Sequence, residues 1–282
     1  MIRKVVIPAA GLGTRLLPIT KELPKEMLPI FFKQNDEVCL KPMLQAVFEQ
    51  LYDVGFREYG FIVGRGKRAI EDHFTIDEGF VEYLKKNNKV KLTEGLRDFY
   101  GKIGNSNIAF INQPKPRGFG DAVYRAKSFT GNEPFLVHAG DDLILSRNND
   151  HLRRMMKVFK DYDADAVFLV EEVEDARGYG VMVGEEIEHG IFEVKKVVEK
   201  PKVPSSNLAV VALYIFKPTI YQGLEKVVSD EAGEVQLTDG ISLLLNWKCK
   251  VYALKLKDEE RRIDIGTPET YFKTLTSLPL GL

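Results

Sequence analysis

Residues 4–29 constrain the fold more than any other stretch. Val5-Val6-Ile7 is a short β-branched run closed by Pro8, and it opens at once into Ala9-Ala10-Gly11-Leu12-Gly13-Thr14-Arg15. A short apolar run of this kind forms a buried strand. The small residues after it let the backbone come close to a ligand. Successive free N–H groups in such a turn make a concavity suited to anionic oxygens, and Arg15, Lys21 and Lys25 offer charge to a polyphosphate. A plain glycine turn beside a solvated basic loop is the alternative. Two standard phosphate loops fail here. A dinucleotide fingerprint needs a third glycine where Leu16 stands, and an immediate helix that Pro18 opposes. A P-loop needs Gly-Lys followed by Ser or Thr, whereas Gly66-Lys67 precedes Arg68 and Gly101-Lys102 precedes Ile103.

Strand and helix patterns alternate behind this opening. Met43, Leu44, Val47, Phe48 and Leu51 recur at helical spacing over 42–55, and Gly55 ends the run. A strand over 61–63 precedes three charged amphipathic helices (67–74, 80–86, 90–103). A strand over 108–111, a helix over 121–129 and a strand over 135–138 follow, the last running into Gly140-Asp141-Asp142. Such alternation predicts an α/β fold, a mostly parallel sheet with helices on both faces. Near residue 175 the character changes. Strands over 166–170, 179–183, 191–198 and 208–216 come with short connections, so antiparallel strands should join the sheet. A helix over 236–245, a strand over 251–256 and a helix over 268–275 close the chain. No repeat or linker interrupts it, and 1–282 reads as a single domain.

Composition excludes some functions. At 44% hydrophobic and 29% charged residues the chain can bury an ordinary core. A net charge of −1 gives no electrostatic case for nucleic acid as a partner. Cys39 and Cys249 make neither a metal cluster nor a disulfide framework. The opening run is too short for a signal peptide, and no apolar stretch approaches the ~18 residues of a membrane helix. A cytoplasmic protein with no membrane partner is expected.

In open parallel sheets ligands lie outside the carboxyl ends of the strands. Asp141 and Asp142 occupy such a place, where paired carboxylates suit Mg²⁺ shared with substrate phosphates, or where one of them caps the next turn. Asp264, in Arg262-Ile263-Asp264-Ile265-Gly266-Thr267-Pro268, is a second metal ligand or a helix N-cap. Gln113 and Gly118 follow the third strand. A glutamine amide donates and accepts, matching the imide edge of uracil or thymine; a turn residue is the alternative. Glu199-Lys200-Pro201 offers a carboxylate to sugar hydroxyls and an ammonium to a phosphate. Adjacent strand residues point to opposite faces, so both reach one ligand only if the strand ends at Glu199. Tyr179-Gly180 is a close approach of backbone to substrate or an ordinary strand start. His73, His138, His151 and His189 are scattered.

Taken together, these pieces resemble a known family. Ala9–Arg15, Pro24-Lys25-Glu26-Met27-Leu28-Pro29, Gly64–Phe74 and Gln113–Val123 appear in order. Gly140–Ile144, Val198–Pro201, Asn207–Val210 and Gly233–Asp239 follow. Over nearly the whole chain this resembles the UTP–glucose-1-phosphate uridylyltransferases of bacteria and archaea. The resemblance implies a Rossmann-like nucleotidyltransferase core of GT-A type, with UTP and glucose 1-phosphate as substrates, Mg²⁺ as cofactor and a homo-oligomer (dimer or tetramer). Residues 1–175 would be the nucleotide-binding part, and residues 176–282 the sugar-phosphate-binding part with the C-terminal helices.

Residue by residue, it implies that Arg15, Lys25 and Lys200 act on the phosphates as the catalytic cations. Ala9, Ala10, Gly11, Gly13, Thr14, Glu26, Gln113, Gly118 and Asp142 would bind the nucleotide. Gly180, Glu199 and Val210 would meet the sugar, and Asp141 with Asp264 would hold the metal. The departures are specific. Gly118-Phe119-Gly120-Asp121 stands where the family usually has Gly-Leu-Gly-His, and Val211-Ala212-Leu213-Tyr214 where it usually has Val-Gly-Arg-Tyr. The ending Asp264–Pro268 is closer to thymidylyltransferases and archaeal relatives. A thymidylyltransferase, or an enzyme using both UTP and dTTP, is therefore the alternative. A catalytically inactive nucleotide-sugar-binding regulatory protein is the alternative outside enzymes.

Overall fold

The computed structural model describes residues 2–34, 37–229 and 233–277. In chain order, β1 (Lys4–Pro8) leads through three short 3-10 turns to a hairpin of β2 (Pro29–Gln34) and β3 (Glu37–Pro42). Helix α1 (Met43–Val54) precedes β4 (Glu58–Val63). The helical insertion α2 (Arg68–His73), α3 (Glu78–Lys86) and α4 (Val90–Gly104) then precedes β5 (Asn107–Asn112). Next come α5 (Phe119–Arg125), α6 (Lys127–Thr130), β6 (Phe135–His138), β7 (Asp142–Leu145), α7 (Asp150–Asp161) and β8 (Ala166–Glu172). The chain continues through β9 (Gly180–Glu188), β10 (Ile191–Glu199), β11 (Leu208–Phe216), α8 (Thr219–Lys226) and α9 (Leu237–Asn246). It ends with β12 (Val251–Lys255), β13 (Arg261–Asp264) and α10 (Pro268–Thr276).

Nine strands form one sheet in the order β5-β4-β1-β6-β11-β8-β12-β10-β9. The parallel arrangement expected from the alternating pattern holds for β5, β4, β1 and β6, and β12 also runs parallel to β8. Strand β11 is antiparallel to both β6 and β8, and β10 to both β12 and β9, so the sheet as a whole is mixed. Because β11 comes from the second half of the chain and lies between two strands of the first, both halves share one sheet.

Successive strand residues face opposite sides, and β1 makes this explicit. Val5 and Ile7 enter the core layer that α1, α4 and α7 cover, through Phe48, Phe99, Met155 and Phe159. Val6 enters the other layer, under α5, α8 and α9, with Val123, Tyr221 and Ile241. A strand buried on both faces reads as an unbroken apolar run, which is why Val5-Val6-Ile7 was legible. Since β1, β4, β5 and β6 run parallel and in register, their carboxyl ends form one edge. Among the described residues no helix is long and apolar enough to cross a membrane.

Several elements escape the sequence pattern. The β2–β3 hairpin lies outside the main sheet, and among the described residues β7 pairs only with β13, a partner far along the chain. Helices α7 and α8 were not anticipated, although Leu152, Met155, Val158 and Phe159 of α7 carry a helical apolar spacing. The helix expected over 121–129 divides at Ala126 into α5 and α6. Strand β9 runs on to Glu188 because antiparallel pairing with β10 carries its exposed glutamates.

Candidate active site

The turn after β1 meets the ends of β4 and β5. Ala9 N donates to Ile62 O at 2.8 Å, and a Cβ on Gly64 would lie 3.1 Å from Gln113 O and 3.6 Å from Ala10 Cβ. Three strand ends thus converge, and a side chain at 64 would crowd the Gln113 carbonyl. Gly13 has φ 66°, a left-handed conformation that glycine adopts freely, and Thr20 Oγ1 donates to its carbonyl at 2.7 Å. Gly11, Thr14 and Arg15 stay exposed at this edge, while Ala9 and Ala10 are buried beneath.

Lys25 and Glu26 enter the edge from a 3-10 turn. Lys25 Nζ lies 2.5 Å from Asp141 Oδ2. Burial alone would lower the ammonium pKa, but Asp141 and then Glu26 reverse that and raise it. Burial pushes the Asp141 carboxyl up, and the Lys25 charge beside it more than offsets this, holding it below the usual range. Glu26 is 1% exposed and pairs with Lys67 at 2.9 Å. Its carboxyl is raised by burial against the pull of Lys67 and Lys25. Gln113 and Gly118 are brought together as expected, with Gln113 Nε2 3.2 Å from Gly118 O. Gly118 has φ 91°, and a Cβ there would stand 2.8 Å from Val235 O, so a side chain is refused twice over.

The two carboxylates read as metal ligands come together across 123 residues of chain only because β13 pairs with β7, with Asp264 opposite Asp142. A Cβ on Gly266 would lie 2.9 Å from Asp264 Oδ1 and 3.8 Å from Asp141 Oδ2, so glycine keeps the space between them open. Among the described residues no group of three or more His, Cys, Asp or Glu is placed to hold a metal. Two carboxylates completed by substrate phosphates are what Mg²⁺ commonly takes, and this donor set fits that pattern. Asp264 does not cap α10. Its Oδ1 accepts from Gly266 N at 2.6 Å, and the cap is Thr267, which exchanges hydrogen bonds with Thr270.

Asp142 opens β7, is 4% exposed, and accepts from Arg262 Nε through both oxygens at 3.0 and 2.9 Å. Burial pushes its carboxyl up to about 6 against the Arg262 charge. Arg262 also reaches Glu171 at 2.5 Å and Asp264 at 3.5 Å, and lies 5.6 Å from the Tyr179 ring centroid. Asp141 lies in the turn before β7 and pairs with Lys25, whereas Asp142 begins the strand and pairs with Arg262, so the two neighbouring carboxylates have separate partners.

At the far end, Gly180, Glu199 and Val210 do come together. A Cβ on Gly180 would lie 3.3 Å from Glu199 Oε2, 3.5 Å from Val210 Cβ and 3.1 Å from Thr238 Cγ2. Thr238 Oγ1 donates to Glu199 Oε2 at 3.1 Å. Strand β10 ends at Glu199, and Lys200 turns away through a left-handed backbone (φ 38°), so both side chains serve one side. Lys200 remains exposed, its Nζ 3.3 Å from Glu199 Oε1. Sequence reasoning missed Lys67, Arg262 and Asp121 as site residues. Lys67 lies inside a stretch already singled out, yet nothing local says that it reaches Glu26.

The chain is similar to known proteins over nearly its whole length. Residues 4–279 match the family model described as nucleotidyl transferase. The UTP–glucose-1-phosphate uridylyltransferase of Pseudomonas aeruginosa is 37% identical over 278 residues, covering 97% of this chain and 94% of that protein. A solved UDP-glucose pyrophosphorylase complexed with UDP-glucose superposes with a TM-score of 0.83 at 33% identity, covering 98% of each chain. A UTP-bound enzyme of the same kind from Acinetobacter baumannii gives 0.84 at 28% identity, covering 98% of this chain and 93% of that one.

Proposed function

The chain belongs to the nucleotidyl transferase family, and from that premise we infer that it transfers a uridylyl group from UTP to glucose 1-phosphate, giving UDP-glucose and pyrophosphate. The observations that support the assignment of roles are that the glycine turn, Gln113 and Asp141 follow the carboxyl ends of β1, β5 and β6, that β13 brings Asp264 near Asp141, and that Gly180, Glu199 and Val210 meet where β9, β10 and β11 pair. A phosphate oxygen of glucose 1-phosphate attacks the α-phosphorus of UTP. The new O–P bond forms as the bond to the β-phosphate oxygen breaks, and pyrophosphate leaves. The nucleophile is already an anion, so no general base is needed. Catalysis rests on positioning and charge neutralisation.

In this reading Ala9, Ala10, Gly11, Gly13 and Thr14 wrap the nucleotide, and Glu26, Gln113 and Gly118 border its base. Arg15 and Lys25 hold the triphosphate. Glu199, Gly180 and Val210 orient the glucose, and Lys200 holds its phosphate. Asp141 and Asp264 would hold a divalent cation, Mg²⁺ in our reading, which supplies charge neutralisation at the α-phosphate and the leaving group. Cytoplasmic location and homo-oligomeric assembly complete the proposal, the latter checked by sedimentation equilibrium.

Pyrophosphate release across four nucleotides and several sugar 1-phosphates tests the whole reading. UTP with glucose 1-phosphate should be the preferred pair. Higher kcat/KM with dTTP would instead select a thymidylyltransferase, and no release with any pair would select an inactive binding protein. Asp141→Asn should lower turnover by about a thousandfold while leaving the circular dichroism spectrum unchanged, since the lost charge acts at the reacting phosphate. Near-normal turnover would remove Asp141 from the metal site.

A further inference from the structure

The amide of Gln113 is held in one orientation by its neighbours. Its Nε2 lies 2.7 Å from Asp121 Oδ2 and 3.2 Å from Gly118 O. A carboxylate and a backbone carbonyl accept hydrogen bonds and donate none. The end of the amide that faces them must therefore be its NH₂. The opposite orientation would set one oxygen against two others. Gln113 is 4% and Asp121 7% exposed, so solvent has little access to relieve such a clash.

Asp121 is fixed in turn. Arg125 Nη2, one turn along α5, donates to its Oδ1 at 3.1 Å. The head of α5 is pinned by Gly120, whose N–H donates to Val235 O at 2.9 Å and whose Cβ position would fall 2.7 Å from that same oxygen. Both amide protons of Gln113 are thus spent on the protein. Among the described residues nothing donates to its Oε1.

We propose that Asp121 is a positioning residue for base selection: by taking the Gln113 NH₂ it leaves only the carbonyl oxygen to meet the base. The proposal rests on the reading of the site given above. An acceptor at that point pairs with the N3–H of a uracil or thymine ring. Cytosine has a lone pair at N3, so two acceptors would face each other. The expectation that Gln113 both donates and accepts toward the base narrows to acceptance alone. A 5-methyl group is not sensed by this contact, which therefore selects against cytosine and not between uracil and thymine.

The test compares kcat/KM for UTP and CTP, with glucose 1-phosphate and Mg²⁺, in wild type, Asp121→Asn and Asp121→Glu. In Asp121→Asn the Arg125 guanidinium claims the new carbonyl oxygen and turns the new NH₂ toward Gln113, which opposes the wild-type amide orientation and leaves Gly118 O alone to hold it. The UTP-to-CTP ratio should fall by about tenfold or more, the cost of a mismatched hydrogen-bonding edge. The change should appear as a higher KM for UTP, with kcat at saturation much less affected. Asp121→Glu keeps a carboxylate and should restore most of the ratio. Both rates come from one preparation, so the folded fraction cancels. Asp121→Ser, which keeps a small polar residue at the head of α5, is held to the same criterion if the Asn variant does not fold. A ratio within about twofold of wild type in the variant measured overturns the proposal. Absence of UTP-dependent release in wild type would overturn the site reading instead.

Discussion

Single residues in this site are held by partners that local sequence does not announce. The Lys67–Glu26 pair, with side chains 6% and 1% exposed, is the clearest case. Removing one member of a buried pair strands the other charge, at a cost of roughly 3–5 kcal/mol, whereas replacing both by apolar groups is often close to neutral. Lys67→Met should therefore lower the urea midpoint strongly, and adding Glu26→Leu should recover most of the loss. A double variant no more stable than the single one would show that the pair does not act as a unit. Arg262 is a related case. Its guanidinium is shared among Asp142, Glu171 and Asp264, and that sharing gives Asp142, next to the aspartate proposed to hold the metal, a structural partner.

At the scale of elements, the site depends on how strands end and helices begin. Glu199 and Lys200 can face one side because β10 stops there, where the backbone at Lys200 turns left-handed. Helix α10 starts directly behind Asp264 with Pro268 at its first position and a Thr267–Thr270 capping box. Loss of an N-cap costs about 1 kcal/mol. Thr267→Ala should lower stability by that amount in chemical denaturation, and no change would mean that packing of α10 against β2 and β13 carries the helix start. The capping pair was hidden because Asp264 is the stronger-looking cap. Its carboxylate is used by Gly266 N instead.

The whole molecule responds to pH through two buried histidines. Burial lowers His138 from 6.5 to about 4, and burial followed by the nearby His138 lowers His151 to about 3. His138 Nδ1–H donates to Ala139 O at 2.8 Å, and the Nε2 of each ring is enclosed without a partner among the described residues. The unfolded chain takes up protons below about 6.5 that the folded chain refuses, so stability falls as pH drops from about 6.5 toward 4. Each histidine contributes a slope of up to about 1.4 kcal/mol per pH unit. Asp142, raised to about 6, and Glu26, raised by burial, act in the opposite sense, because their folded carboxyls hold protons that the unfolded ones have released. Urea midpoints across this range should therefore fall with acid, and should fall less steeply in His151→Gln. Identical slopes would exclude His151 as a source.

The chain by itself determined the strand-and-turn opening, the alternation that makes a layered α/β sheet, and the small set of residues at strand ends where chemistry belongs. These are legible because period-two and helical apolar spacings, Gly and Pro are local signals. Gly11, Gly13, Gln113, Asp141 and Glu199 could be read in that way. What only the tertiary structure decided is partnership. It decided that β11 lies antiparallel between β6 and β8, that β13 pairs with β7, that Asp142 serves Arg262, that Lys67 meets Glu26, and that Asp121 turns the Gln113 amide. Each of these joins groups separated in the chain but adjacent in the fold. A hydrogen-bond acceptor does not declare its donor until the fold brings the two within about 3 Å.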